Sequence, residues 1–223
     1  FHEVTRWPES LGGWKEAMSA YYDAVLELGR ALLRALAIGL GLPDNTFESS
    51  LAPGRHTMST LRLNYYPTQA PDAQPVTTDG SVALSCETHV DSALLTILWQ
   101  GDVGGLQVMA APVAGQEAER WLDVPAFSDT LVINTGLALQ RWTNERLIAT
   151  NHRVLFTRVE RLSIPFFVEP HFDAVLAPIE QLHNDKSLRD PPFEPQTYST
   201  FLANAIKRFK EYQRTDQDDK TNK

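Results

Sequence analysis

Cysteine is nearly absent: Cys86 is the only one among 223 residues. An internal disulfide framework is therefore excluded, and a reducing compartment is the natural setting. Long hydrophobic runs are missing too, none approaching the roughly 20 residues that span a bilayer, so no membrane partner is expected. Positive charge is in deficit, with 20 Lys and Arg against 28 Asp and Glu and a net charge of −8. A nucleic-acid partner would have to bind against that field. The basic cluster Lys207, Arg208 and Lys210 sits beside Glu211 and reads as the solvated face of a last helix. Internal repeats and a second domain are not visible either. What remains, with 43% hydrophobic residues, is one ordinary domain able to bury a core, expected to be a cytoplasmic monomer.

From Trp14 to Ile38 apolar residues recur at helical spacing: Trp14, Met18, Tyr21, Tyr22, Val25, Leu28, Leu32 and Leu36, followed by glycines and Pro43. We read this as a long amphipathic helix whose aromatic and methionine positions pack rather than hold a cofactor. After Pro53 short strands separated by turns take over, at 58–66, 83–89, 94–99, 106–110, 120–124, 130–134, 151–157 and 161–168. A polar loop at 67–80 and a hairpin excursion at 112–119 interrupt them. A terminal helix over 197–212 and a polar tail over 215–223 close the chain. Strands at this density with few intervening helices imply a mainly β fold with flanking helices, an antiparallel sandwich or jelly roll. The expected parts are a helical segment 1–55, a β core 56–170 and a C-terminal extension and helix 171–223.

His89 and Asp91 are two residues apart at the end of an expected strand, and period-two geometry sends both to one face. Such a pair alone usually marks a surface strand. His152, opening a distant strand in Asn151-His152-Arg153-Val154, adds the third donor. Two imidazoles and one carboxylate on one side of an ion leave positions for substrate and dioxygen, as in non-haem Fe(II) oxygenases. Histidines that are only hydrogen-bonded are the alternative. Cys86 lies three residues before His89 and on a regular strand faces the other way, so it reads as a packed side chain rather than a fourth ligand. Nine residues after His152, Arg161-Leu162-Ser163-Ile164 alternates so that Arg161 and Ser163 share a face. A planar guanidinium beside a hydroxyl is a carboxylate receptor suited to an apolar barrel. The competing reading pairs Arg161 with a structural acid.

The segments LRLNYYP (61–67), THVD (88–91), VGGLQV (103–108), WLDVP (121–125), TLVINTG (130–136), LQRWTNERLIATNHRV (139–154) and ERLSIPFFVEP (160–170) together resemble the iron/2-oxoglutarate-dependent dioxygenases. The likeness is nearer to the isopenicillin N synthase-like branch, and it runs from about Trp14 to Leu202. It implies a double-stranded β-helix in which His89, Asp91 and His152 ligate Fe(II). It further implies that Arg161 and Ser163 clamp 2-oxoglutarate, with Tyr66 donating a phenolic hydrogen bond and Asn64 nearby. Tyr65 reads as one of a half-buried aromatic pair. The implied reaction uses dioxygen to convert 2-oxoglutarate to succinate and carbon dioxide while a small organic substrate is hydroxylated, desaturated or cyclised.

Two departures keep alternatives open. Many relatives carry Gly-Asp after the asparagine equivalent to Asn134, where this chain has Thr135-Gly136-Leu137. The long loop from Thr68 to Gly80 resembles that of isopenicillin N synthase, whose Arg-x-Ser pair serves a peptide substrate rather than 2-oxoglutarate. An Fe(II) oxidase without co-substrate is therefore the second reading, and a non-enzymatic metal-binding jelly roll the third. The family's usual N-terminal region is expected to be missing. His56, His171 and His183 read as surface or loop residues. Trp99, Trp121 and Trp142 read as core or pocket wall, and Leu63, Phe156 and Phe167 as apolar lining.

Overall fold

The computed structural model describes residues 5–51, 56–70, 82–111, 120–182 and 189–207. The chain divides into two compact units, Phe1–Ser49 and Ser50–Lys223. In the first, helix α1 runs from Trp14 to Gly39, one residue beyond the expected end. Its buried positions are Val25, Gly29, Leu33 and Ala37, one row at spacing four, whereas the expected Leu28 is 37% exposed. Small residues in that row are invisible to a count of large apolar side chains. The helix stops in a Schellman arrangement, with Leu42 N–H donating to the Ala37 carbonyl and Gly41 N–H to that of Ile38. Gly41 has φ +73°, a conformation that favours glycine. Arg34 pairs with Glu48 at 2.8 Å.

The second unit is a jelly roll. One sheet holds β1 (Thr60–Leu61), β2 (Asn64–Tyr66), β4 (Leu95–Trp99), β7 (Val132–Thr135) and β9 (Arg161–Val168), with β1 and β2 both on β9 and the path continuing through β4 to β7. The other contains β3 (Leu84–His89), β5 (Leu106–Met109), β6 (Trp121–Asp123) and β8 (His152–Leu155), in the order β3-β8-β5-β6. Every pairing is antiparallel. A small pair, β10 (Val175–Leu176) with β11 (Gln196–Thr197), leads into helix α3 (Tyr198–Ile206), and helix α2 (Leu137–Trp142) follows β7.

The expected single strand over 58–66 is two strands. Between them Arg62 N–H donates to the carbonyl of Pro165 in β9, and Pro165 has no N–H to return, so the ladder breaks there. The core lies on the face of β4 and β9 where Ile97 pairs with Phe166 and Leu95 with Val168, all four fully buried. Each such side chain contributes roughly 1.5–3 kcal/mol. The opposite face of β9 carries Arg161 and Ser163. Thr197 caps α3 by accepting from Thr200 N–H, but residues 208–212 of the expected helix lie outside the described residues. So do the 112–119 excursion, most of the 67–80 loop, His183 and the tail from Thr215. Among the described residues no helix is long and apolar enough to cross a membrane.

Candidate metal centre and anion receptor

His89 closes β3 and is the direct Cα partner of His152, which opens β8. In an antiparallel pair that places both imidazoles on one face, with ring centroids 4.2 Å apart. Asp91 lies in the connection from β3 to β4. Its Oδ1 stands 3.6 Å from Nε2 of His89 and 3.6 Å from Nε2 of His152, and one donor atom from each residue falls within 4.8 Å of the others. At 3.6 Å these are not hydrogen bonds. Donors about 2.1 Å from a shared ion and at right angles would be about 3 Å apart, so an ion would draw Asp91 and each histidine together by about 0.6 Å.

The surrounding groups free those donors. His89 Nδ1 is 2.8 Å from the Glu87 carbonyl, and His152 Nδ1 is 3.1 Å from that of Thr150. A carbonyl accepts only, so each Nδ1 carries the proton and each Nε2 keeps its lone pair for a metal. Asp91, buried, accepts at Oδ2 from Thr96 Oγ1 at 2.6 Å and from Asn134 Nδ2 at 2.9 Å, which leaves Oδ1 to face the histidines. Burial pulls the His89 pKa down, but the Cys86 thiol and the Glu87 carbonyl outweigh it, and the balance is upward.

On β9 the expected alternation holds with inverted polarity: Arg161 is 1% and Ser163 3% exposed, while Leu162 is 39% exposed. Tyr66 is the Cα partner of Arg161 and Asn64 that of Ser163, and the Tyr66 ring lies 5.1 Å from the guanidinium. Arg161 Nε donates to the Val103 carbonyl at 3.3 Å, but Nη1 is buried without a hydrogen-bond partner. Among the described residues no carboxylate pairs with Arg161. Burial lowers its pKa, partly offset by Tyr66 and Cys86, and the group stays cationic. Burial, with the Cys86 thiol adding, raises the Tyr66 phenol; Arg161 and Ser163 oppose it. A buried cationic donor beside a hydroxyl and a phenol has the chemistry to receive a carboxylate.

Two expectations change. Cys86 does not face away from His89: its Sγ is 3.8 Å from His89 Nδ1, because the β3–β8 register shifts between those residues, undoing the alternation. It belongs to the wall between the histidines and Arg161, though not to the donor set. Tyr65 is 61% exposed rather than half-buried, its hydroxyl donating to Glu160 at 2.9 Å. Sequence reasoning misses Thr96 and Asn134 as functional residues, although Thr96 is a polar position inside an apolar run and Asn134 closes one. It also misses Glu169. The buried carboxyl of Glu169 accepts from the Tyr198 and Thr60 hydroxyls, and burial raises its pKa to about 7. His171, expected on the surface or in a loop, instead bridges Thr57 and pairs with Asp173 at 2.7 Å with its side chain 12% exposed, and Leu63, expected as apolar lining, is 43% exposed.

Residues 57–170 match the family model of the 2OG-Fe(II) oxygenase superfamily, a stretch that includes all seven site residues. The chain belongs to that superfamily. Isopenicillin N synthase from Streptomyces clavuligerus is 32% identical to this superfamily member over 210 residues, 92% of this chain and 60% of the relative. The 2-oxoglutarate-Fe(II) type oxidoreductase ppzC of Metarhizium rileyi is 36% identical over 160 residues, 71% of this chain and 40% of its own. Among solved structures, a full-length Neurospora crassa protein in complex with alpha-KG superposes with a TM-score of 0.75 at 25% identity, covering 90% of this chain and 60% of that one. The oxygenase chain thus spans no more than 60% of these relatives' lengths.

Proposed function

We propose that this chain carries the catalytic core of an Fe(II)- and 2-oxoglutarate-dependent oxygenase acting on a small organic molecule. The observation behind this is the buried Nη1 of Arg161, without a partner, in the same barrel as the His-Asp-His donor set. His89, Asp91 and His152 would hold Fe(II), which in this family uses dioxygen to couple decarboxylation of 2-oxoglutarate to oxidation of a substrate C–H bond. Glu87 and Thr150 fix the imidazole tautomers, and Thr96 with Asn134 keeps Asp91 presenting one oxygen. Arg161, Ser163 and Tyr66 bind and orient the distal carboxylate of the co-substrate, with Asn64 beside Ser163. The sheets exclude bulk water around the guanidinium, which strengthens its hold on an anion. Net charge of −8 supports a small molecule over nucleic acid.

Succinate released from 2-oxoglutarate should require Fe(II) and collapse in His89→Ala, Asp91→Ala and His152→Ala proteins. Metal binding and turnover unchanged by those substitutions would remove the idea. The similarity to isopenicillin N synthase supports a second reading, an oxidase in which Arg161 and Ser163 grip the carboxylate of the substrate itself. Calorimetric titration of the Mn(II)-loaded protein with 2-oxoglutarate separates the two: tight binding, weakened by Arg161→Ala, supports the oxygenase, and no binding supports the oxidase.

A further inference from the structure

Asp91 is held from outside the donor set by the segment that ends β7 and begins α2. The Asn134 side chain grips its Oδ2. Immediately beyond, three successive amides donate to the same loop: Gly136 N–H to Leu94 O at 3.0 Å, Leu137 N–H to Asp91 O at 2.8 Å and Ala138 N–H to Ser92 O at 3.2 Å. Ala93, the residue between, presents its backbone to Gly136. A Cβ on Gly136 would stand 2.1 Å from the Ala93 carbonyl oxygen, 2.9 Å from its carbon and 3.0 Å from its nitrogen. Gly136 has φ −109° and ψ 174°, an extended conformation open to any residue. Its need for glycine is therefore steric, and the clashing atoms are backbone that cannot rotate aside.

We infer that Gly136 is a positioning residue for the metal centre, the contact surface against which the Asp91–Leu94 loop is registered so that Asp91 Oδ1 meets both histidines. The inference rests on the metal-site reading above. Any side chain at 136 must force the Gly136 and Ala93 backbones apart, from 2.1 Å to beyond the 3.0 Å below which Cβ contacts are essentially never found. Asp91, two residues away and tied to the same helix start, moves with it. Deleting groups that orient a ligand typically lowers metal affinity about 10- to 100-fold.

Co(II), titrated into the whole metal-free chain and followed by its d–d absorption, tests this without turnover. Two variants approach the contact from different sides. Gly136→Ala inserts the clashing methyl. Leu137→Pro removes the N–H that Asp91 O accepts and shortens a half-buried side chain, at the first helical position, where proline is well tolerated and the preceding residue is already extended. Both should bind Co(II) about 10- to 100-fold more weakly, and the metal-free Leu137→Pro protein should keep a near wild-type thermal midpoint, a pattern that general destabilisation would not give. Gly104→Ala, where a Cβ meets nothing within 4 Å, should bind as wild type. Wild-type affinity in folded Gly136→Ala protein overturns the inference; if that variant does not fold, wild-type affinity in Leu137→Pro overturns it. Failure of the unmodified chain to bind Co(II) would instead sink the metal-site reading itself.

Discussion

Replacing Arg161 by methionine should make the ligand-free protein more stable and leave it unable to hold 2-oxoglutarate. Arg161 is 1% exposed, Nη1 has no partner, and Nε makes one long bond, 3.3 Å to the Val103 carbonyl. A buried polar group without a partner costs about 1–3 kcal/mol, and even a buried ion pair is often replaced by apolar side chains of similar volume at no loss. Methionine fills much of the same space. Losing the Val103 and Tyr66 contacts offsets part of the gain, so a net stabilisation of about 1 kcal/mol at most is expected, a rise of up to roughly 2–4 °C in thermal midpoint for a chain of this size. With co-substrate the order reverses. Truncating one partner of a buried, hydrogen-bonded charge pair costs about 2–5 kcal/mol, a loss of roughly 30- to 4,000-fold in Kd. Wild type should gain about 2.7 kcal/mol from ligand at 100 times its Kd, and the variant almost nothing. Thermal melts of Mn(II)-loaded protein with and without 2-oxoglutarate, with calorimetric titration alongside, measure both arms. An Arg161→Met protein that is less stable than wild type without ligand, yet binds 2-oxoglutarate as well, would mean the arginine is a structural ion partner and the receptor argument is wrong.

Thr96→Val keeps the volume of a buried strand residue and deletes the hydroxyl on Asp91 Oδ2; Co(II) affinity should fall about 10-fold and be unchanged only if Asn134 alone fixes the carboxylate. Cys86→Ala should keep Co(II) affinity, since the thiol meets His89 at Nδ1 rather than Nε2; a large loss would restore it as a ligand. Glu169 has its pKa raised from 4.5 to about 7, chiefly by burial, so the native state holds a proton that the unfolded chain releases near 4.5. Its contribution to stability is complete below about pH 4.5 and lost as pH rises through about 7, a change of about 3 kcal/mol from a shift of that size. Glu169→Gln should flatten the profile of thermal midpoint against pH and melt higher than wild type at pH 8; parallel profiles for the two proteins would contradict the assignment.

Elements with a strong local signal are legible in the sequence itself. Helix α1 begins at Trp14 as its spacing predicts, and β9 was expected at 161–168 and spans Arg161–Val168. What escaped was short or tertiary. Helix α2 has six residues, too few to show a 3.6 period, and β10 and β11 have two each, so only their partners define them. The irregularity in β3 that turns Cys86 toward His89 arises from pairing with β8, which no count along the chain reveals. Thr96 and Asn134 left a usable trace: Thr96 interrupts an apolar strand and Asn134 ends an apolar run, and a polar residue in such a place needs a partner. They are Cα partners across β4 and β7, so two separate anomalies in the sequence meet at one carboxylate oxygen.

The site is built where the ordinary rule of polar outside and apolar inside is reversed, and the reversal separates structural from functional positions on the same strand. On β9, Phe166 and Val168 face the core layer with Ile97 and Leu95, while Arg161 and Ser163 are buried on the opposite face with Leu162 turned outward. Burying a guanidinium is costly unless something meets it, and among the described residues nothing acidic does. Asp91 shows the complementary economy: one oxygen is satisfied by Thr96 and Asn134, and the other is aimed at two imidazoles whose protons point away. A carboxylate oxygen and two imidazole nitrogens brought together without hydrogen bonds of their own leave room for a shared partner. The fold therefore leaves unsatisfied the atoms that a divalent ion and a carboxylate would satisfy, and satisfies the neighbours that hold them in place.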